Sequence, residues 1–188
     1  MVHRTTSLLR PPSRQAREAA VRRASVSKLS YSAIGATKDV MPEGYVHHDF
    51  TIEIGEGREL FERCAVEIDA WGLQRSVGFD VVPAGESVVL FVHVLGLHLT
   101  APCRVVYRID EERRHGFAYG TLEGHPERGE EYFGVTIDSN NQVFFVLRAF
   151  SKPAWFLARL GGPITRLLQR KATYRYIEGM KTFAAKKA

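Results

Sequence analysis

Six strand-like segments follow one another between Val77 and Phe150, and this run constrains the fold more than any other feature of the chain. Apolar and polar residues alternate in several of them, as from Cys103 to Asp110, and turn residues separate one segment from the next. The links are too short for crossover connections, so successive strands are expected to pair antiparallel. A sheet of this kind needs a cover on one face.

An earlier strand and two helices complete the pattern. Tyr45 to Ile54 alternates as a half-buried strand, and helical spacing follows from Arg58 to Trp71. Ser87 to Leu99 is expected to be one long strand that bends at Gly96. The C-terminal segment from Pro163 to Phe183 has an apolar stripe and would be about 30 Å long as a helix. That length is enough to cross the sheet.

The sequence therefore predicts an α+β fold of the helix-grip (START-like) class. We expect a curved antiparallel sheet of about seven strands, a short helix after the first strand and a long C-terminal helix over one face. The arrangement resembles that of START-like lipid carriers, pollen-allergen-like proteins and aromatase/cyclases. That resemblance implies a cavity between sheet and helix in place of a fully packed core.

The net charge of +5 is unevenly distributed along the chain. Residues 1–30 and 152–188 are strongly basic, whereas the segment between them is acidic. A nucleic-acid-binding domain carries its basic patch on the folded body, so we expect no nucleic-acid partner. Residues 1–30 are interpreted as a disordered basic tail, with a targeting peptide or an over-extended start as alternatives. Residues 31–188 are expected to form one domain, and residues 1–28 to be dispensable for folding.

Two features bear on the cellular compartment. No apolar run reaches the ~20 residues that a transmembrane helix requires. Cys64 and Cys103 have no spacing typical of a disulfide framework or a zinc site, and they are interpreted as small buried apolar residues in a reducing compartment. We therefore expect a cytoplasmic protein; the sequence leaves its oligomeric state open.

The densest group of chemically versatile side chains lies between His115 and Glu131 (HGFAYGTLEGHPERGEE). It begins as a strand and breaks at Gly124 into a charged turn. A pocket with a few converging polar groups is the usual form of a small-ligand site. The predicted ligand-binding residues, from this stretch and the neighbouring strand, are Arg104, Tyr107, Tyr119, Thr121, His125, Arg128 and Glu130. The alternative is a structural turn in which Arg128 pairs with a nearby carboxylate and His125 caps a backbone group.

Several segments also resemble one known family. They are Tyr31-Ser32-x-x-Gly35-Ala36-Thr37, Pro42-x-Gly44-Tyr45, Pro102-Cys103-Arg104-Val105-Val106-Tyr107, the stretch from Phe117 to Glu131, Phe150-Ser151-x-Pro153, and Leu157-Ala158-Arg159-Leu160-Gly161. The chain is similar over roughly Leu29 to Met180 to the domain-of-unknown-function family nineteen-ninety, found in bacteria and plants. The resemblance implies an acidic-to-neutral soluble domain and carries over no activity. Residues 1–28 lie outside it.

Three functions remain open. The first is binding of a hydrophobic, lipid-like or polyketide-like small molecule between the sheet and the C-terminal helix. The second is an enzyme on the same cavity, a cyclase, dehydratase or hydrolase that uses His125 and a carboxylate as acid and base. The third is an interaction module without a ligand.

The sequence predicts neither a metal site nor a cofactor. His93, His98 and His125 come from separate segments, and nothing fixes their spacing with Glu130 or Glu131 for a metal. A nucleophilic Cys103 near His98 has no predicted oxyanion hole. The glycines between His115 and Glu131 match neither a Walker nor a dinucleotide-binding loop.

Overall fold

The computed structural model of the protein describes residues 9–94, 96–154 and 162–186, with the backbone alone described along 162–172. The elements in chain order are α1 (Arg14–Val26), a 3-10 turn (Ala36–Lys38), β1 (Val46–Glu56), α2 (Arg58–Asp69), α3 (Gly72–Ser76), β2 (Asp80–Ala84), β3 (Ser87–Val94), β4 (Leu97–Glu111), β5 (Arg114–Thr121), β6 (Glu127–Ile137), β7 (Gln142–Pro153) and α4 (Gly162–Ala184). None of the described helices is long and apolar enough to span a membrane.

The seven strands form one antiparallel sheet in the order β1-β7-β6-β5-β4-β3-β2. Consecutive strands pair with each other from β2 to β7, as the short links predict, and β1 returns to pair with β7. The predicted single strand from Ser87 to Leu99 is wrong, because the chain reverses at Gly96 and β3 pairs with β4. Gly96 has a φ of 76°, in the left-handed region that glycine adopts without steric cost.

The inner face of the sheet carries the larger hydrophobic core. Alternate residues such as Phe133 of β6 and Phe145 of β7 are almost fully buried there. They share this core with Phe61 and Ile68 of α2 and with Met180 of α4. A sheet whose inner face packs against a long C-terminal helix is the predicted helix-grip arrangement, which is thereby confirmed.

The outer face of the sheet carries a second, smaller core, which corrects the prediction of a disordered tail for part of residues 1–30. Residues 14–26 form helix α1, whose Ala20 and Ala24 are buried against Val89, Phe91 and Leu122 of the sheet. Its first turn is capped by a side chain: the backbone N–H of residue 16 donates to the hydroxyl of residue 13. The sequence pattern does not predict this burial, because alanine side chains add little hydrophobicity to a helix face. Their small size nevertheless lets the helix approach the sheet closely.

Arg104 of β4 fastens the C-terminal end of α1 to the sheet. Its guanidinium donates to the backbone carbonyl oxygens of Ala24 at 3.2 Å and Ser27 at 2.8 Å, and to the hydroxyl of Ser87 at 3.3 Å. The last carbonyls of a helix have no partners within the helix and carry partial negative charge. A cation at this position therefore satisfies the helix end and explains why Arg104 lies on the outer face.

Candidate functional site

A cavity of about 200 Å³ lies on the inner face of the sheet, beside α4. Its apolar wall comes from Phe79, Leu90, Val92, Leu99, Ala101, Pro126 and Ala149. Polar side chains on its boundary are those of His48, Tyr119, Thr121, His125, Glu127, Glu131, Ser151, Thr173 and Tyr176. The combination of an apolar wall with a few convergent polar groups is typical of a small-molecule site.

Strand β6 sends two neighbouring carboxylates to opposite faces of the sheet. Because side chains alternate along a strand, Glu131 shares the inner face with Phe133, whereas Glu130 points outward. One carboxylate therefore reaches the cavity and the other reaches the N-terminal segment. This separation divides the GHPERGEE stretch into two sites with different chemistry.

Glu131 forms the centre of the polar group in the cavity. The hydroxyl of Tyr119 on β5 donates to its Oε2 at 2.6 Å, and the hydroxyls of Tyr119 and Tyr176 on α4 are also hydrogen-bonded. Burial raises the pKa of Glu131 to about 7; the bond from Tyr119 acts in the opposite direction, and nearby Glu127 raises it further. Protonated and ionised forms of this carboxyl group are therefore both expected near neutral pH.

His125 lies in the turn between β5 and β6, on the boundary of the same cavity. Its Nδ1 lies 2.8 Å from the backbone nitrogen of Glu127 and 3.0 Å from the carbonyl oxygen of that residue. Since a backbone N–H can only donate, the neutral ring accepts at Nδ1 and carries its proton on Nε2. Burial lowers the pKa of His125 to about 4, while the backbone hydrogen bond acts in the opposite direction. The imidazole is therefore a neutral donor at physiological pH.

Glu130, by contrast, is fully engaged on the outer face. It is 2% exposed and accepts from the hydroxyl of Tyr31 at 2.7 Å, from the backbone nitrogens of Gly35 at 2.7 Å and Thr37 at 3.0 Å, and from the Thr37 hydroxyl at 2.5 Å. Four donors on one carboxylate leave little capacity for a ligand. The residue pins the segment before β1 to the sheet.

The outer face accommodates this segment because β5 lacks a side chain at Gly120. A Cβ placed there would lie 2.1 Å from the hydroxyl oxygen of Tyr31, well inside contact distance. The ring of Tyr31 also packs edge-on against Phe150, with ring centroids 5.6 Å apart. The glycine is thus required by a close approach, and it brings the tyrosine within reach of Glu130.

The structure brings only part of the predicted ligand-binding set to the cavity. Tyr119, Thr121 and His125 line it, with Glu130 contributing to its boundary. Thr121 is nonetheless occupied structurally, since its hydroxyl accepts from the backbone nitrogen of Gly129 at 3.0 Å. His125 also bonds to the backbone, as the alternative interpretation of a structural turn expects.

Three residues of the predicted set lie elsewhere. Arg104 fastens α1 on the outer face, and Arg128 is exposed, with no ion pair within the described part of the chain. Tyr107 also points outward, where its hydroxyl lies 2.7 Å from that of Thr37. A β-bulge between Val105 and Tyr107 shifts the pairing with β5, so these two residues do not share a face as strict alternation predicts.

Sequence reasoning missed the two residues that complete the polar group. Glu131 is expected from the sequence only as a possible metal ligand, and Tyr176 is not among the predicted site residues. The alternation that places Phe133 inside would have placed Glu131 inside as well. For Tyr176 no local signal exists, because its partner Tyr119 is distant in the chain.

The other candidate centres do not assemble. Among the described residues no group of three or more metal-ligating side chains comes together. His93 and His98 stack on each other across β3 and β4, with ring centroids 4.4 Å apart. Cys103 is fully buried on the inner face, and burial raises the pKa of its thiol well above the ordinary range.

Comparisons with known proteins agree on a family. The UPF0548 protein of Deinococcus radiodurans is 32% identical over 187 residues, which cover 90% of this chain and 94% of that protein. A UPF0548 protein of Arabidopsis thaliana is 31% identical over 160 residues, covering 77% and 76%. The solved structure of a hypothetical protein from Helicobacter pylori shares the fold alone, with a TM-score of 0.55, 8% identity, and coverage of 85% and 97%. The family model described as "Domain of unknown function (DUF1990)" matches residues 30–179, and the chain belongs to that family.

Proposed function

We propose that the protein binds a small, largely apolar molecule in the cavity between sheet and α4, with a polar group of the ligand against Glu131. The observation that carries this proposal is the cavity of about 200 Å³ beside a carboxylate that retains an unused oxygen. Oε2 of Glu131 accepts from Tyr119, whereas Oε1 has no hydrogen-bond partner among the described residues. A ligand that donates a hydrogen bond would therefore find a free acceptor on this half-buried carboxylate.

The size of the cavity limits the ligand class. An apolar cavity of about 150 Å³ holds a benzene molecule, whereas drug-sized ligands occupy about 300–1,000 Å³. A cavity of about 200 Å³ therefore suits a substituted single ring or a short branched chain. The lipid-like and polyketide-like ligands expected from the sequence are narrowed by this argument to small members of those classes.

A cavity-filling substitution tests the proposal. Ala149 of β7 is 6% exposed and lines the cavity. Ala149→Leu places three extra carbon atoms there, so we expect the affinity for p-cresol, a ring with one hydroxyl group, to fall at least about tenfold, a loss of ~1.4 kcal/mol in binding free energy. The dissociation constant is measured by NMR titration of the purified full chain.

Ala70→Leu provides the matched control, because Ala70 is exposed at the end of α2. It adds the same atoms outside the cavity and should leave the affinity unchanged. Native mass spectrometry and solvent extraction of the purified protein should also recover a bound species from the wild type and not from Ala149→Leu. Equal affinity in the wild type and Ala149→Leu would contradict binding in this cavity.

A further inference from the structure

Two residues that line the same cavity each keep an unused hydrogen-bonding atom, and the two atoms are of opposite kind. One is Oε1 of Glu131, an acceptor, and the other is Nε2–H of His125, a donor; neither has a hydrogen-bond partner among the described residues. Both groups are held in place through their other atoms. Tyr119 fixes Oε2 of the carboxylate, and the backbone nitrogen of Glu127 fixes Nδ1 of the imidazole. A preorganised base and a preorganised donor are the two parts that proton abstraction beside a carbonyl group requires.

We propose that Glu131 is a general base that removes the α-proton of a small carbonyl compound in the cavity, while Nε2–H of His125 donates to the carbonyl oxygen. This inference rests on the proposed binding function and adds a reaction to it. The substrate class is a ring-sized ketone or aldehyde with a hydrogen on the carbon beside the carbonyl.

The step balances without any further reactant. The C–H bond breaks and its hydrogen becomes the proton of the Glu131 carboxyl group. The electron pair of that bond forms a C=C bond, and the carbonyl π pair moves to oxygen, where the hydrogen bond from His125 stabilises the enolate. Return of the proton to the same carbon gives exchange or racemisation, and return to the far carbon of a conjugated system gives isomerisation.

The protonation states of both groups suit these roles. Burial brings the pKa of Glu131 to about 7, so a large share of the protein carries a carboxylate that is more basic than an exposed one. The pKa of His125, lowered to about 4, keeps the ring neutral, so that it donates without being a cation. The titratable groups that act on Glu131 are Tyr119 of β5, Glu127 of β6, Tyr176 of α4 and Cys103 of β4.

Hydrogen–deuterium exchange tests the inference. Cyclohexanone and acetophenone are incubated with the full chain in deuterated buffer, and loss of their α-proton signals is followed by NMR. We expect exchange to be at least about tenfold faster than in buffer alone. Glu131→Gln should reduce the rate to that of buffer, and His125→Phe, which removes the donor, should reduce it in the same direction. Glu123→Gln, an exposed carboxylate in the turn after β5, serves as the control and should exchange at the wild-type rate.

The variant Tyr119→Phe tests whether Tyr119 positions the carboxylate of Glu131 for the reaction or only stabilises the fold. The hydrogen bond from Tyr119 lowers the pKa of Glu131, so its loss should shift the midpoint of the rate–pH profile to higher pH. A structural role would lower the rate without moving that midpoint.

Saturation-transfer NMR with the same two ketones separates failure of the reaction from failure of binding. Transfer to a ketone without exchange above buffer would overturn the catalytic inference and leave the proposed binding function standing. Exchange that persists in Glu131→Gln would also overturn the inference. Absence of both transfer and exchange for both ketones would overturn the inference together with binding of ring-sized carbonyl ligands.

Discussion

Glu130 and Glu131 show how strongly the environment of one residue depends on which face of a strand it occupies. Glu130 accepts four hydrogen bonds on the outer face, whereas Glu131 accepts one and faces a cavity. Glu130 therefore has a structural role. Glu131 is held in the protein at a cost, because its charged form is poorly solvated, and residues maintained at such a cost are often functional.

Glu131 should make the protein less stable as the pH rises through neutrality. Its pKa is about 7 in the folded protein and near 4.5 in the unfolded chain. Between these values the folded state keeps a proton that the unfolded chain has lost, so the contribution to the free energy of unfolding decreases by at most ~3 kcal/mol from pH 4.5 to above pH 7. Glu131→Gln cannot titrate, and its stability relative to the wild type should therefore increase over this range.

Urea denaturation of both proteins at pH 5 and pH 8 measures the difference. Glu123→Gln, in an exposed turn, is the control and should follow the wild type at both values. An unchanged difference between Glu131→Gln and the wild type at the two pH values would show that Glu131 is solvated in the folded protein.

His125 should have the opposite effect at acidic pH. Its pKa is about 4 in the folded protein and near 6.5 when unfolded, so the unfolded chain binds a proton first as the pH falls. The contribution of the neutral ring is present above pH 6.5 and decreases by ~3 kcal/mol as the pH falls through 4. His125→Gln removes this loss, so between pH 7 and pH 4.5 it should lose less stability than the wild type.

Variants must be compared with the wild type, because Glu131 and His125 have opposite effects on how the wild-type free energy of unfolding depends on pH. Exposed His47 gives a control: His47→Gln should lose stability in parallel with the wild type in the same urea titrations. A parallel loss in His125→Gln as well would mean that the ring of His125 is accessible to water when folded.

Among the secondary-structure elements, helix α1 and its packing against the sheet were not predicted from the sequence. The pattern of apolar residues identifies the strands and the C-terminal helix because their buried faces carry large side chains. Helix α1 buries Ala20 and Ala24, which give little contrast against a strongly basic background. Arg104 of β4 donates hydrogen bonds to the C-terminal end of α1. This contact could not be predicted without the position of β4 in the sheet.

Removal of α1 should therefore destabilise the protein, contrary to the expectation that residues 1–28 are dispensable. A chain that begins at Leu29 exposes Val89 and Phe91 on the outer face. Exposure of large apolar side chains costs about 1.5–3 kcal/mol each, and ~1 kcal/mol corresponds to about 2–4 °C for a chain of this length. We expect the melting temperature to fall by at least about 5 °C.

Thermal unfolding followed by circular dichroism checks this expectation. A chain that begins at Pro11 keeps α1 and its capping residue, and it should melt with the full chain. Arg104→Ala should produce part of the loss, since it removes the hydrogen bonds to the end of the helix. Identical melting of all four proteins would show that α1 does not stabilise the sheet.

The site was predictable to a similar, limited extent. The stretch from His115 to Glu131 was identified because polar and aromatic side chains are unusually dense there, and Tyr119 and His125 do line the cavity. Tyr107 was misplaced because the β-bulge that turns it outward has no signature in the sequence. Long-range pairs such as Tyr119 with Tyr176 depend on how α4 meets the sheet, which local patterns do not encode.

Over the whole molecule, the sheet separates two kinds of polar chemistry. On the outer face, Glu130 and Arg148 hold the segment before β1: the guanidinium of Arg148 donates to the carbonyl oxygens of Thr37 at 2.7 Å and Asp39 at 2.9 Å. On the inner face, Oε1 of Glu131 and Nε2 of His125 have no hydrogen-bond partner among the described residues.

The contact between Gly120 and Tyr31 also restricts how this sequence can change over generations. Any side chain at position 120 collides with the tyrosine hydroxyl, and any smaller residue at position 31 removes a donor from Glu130. A substitution at position 120 is therefore tolerated only after, or together with, a change at position 31. Descendants of this sequence that replace Gly120 should therefore also have lost Tyr31, so the order of substitutions at two positions far apart in the chain is constrained.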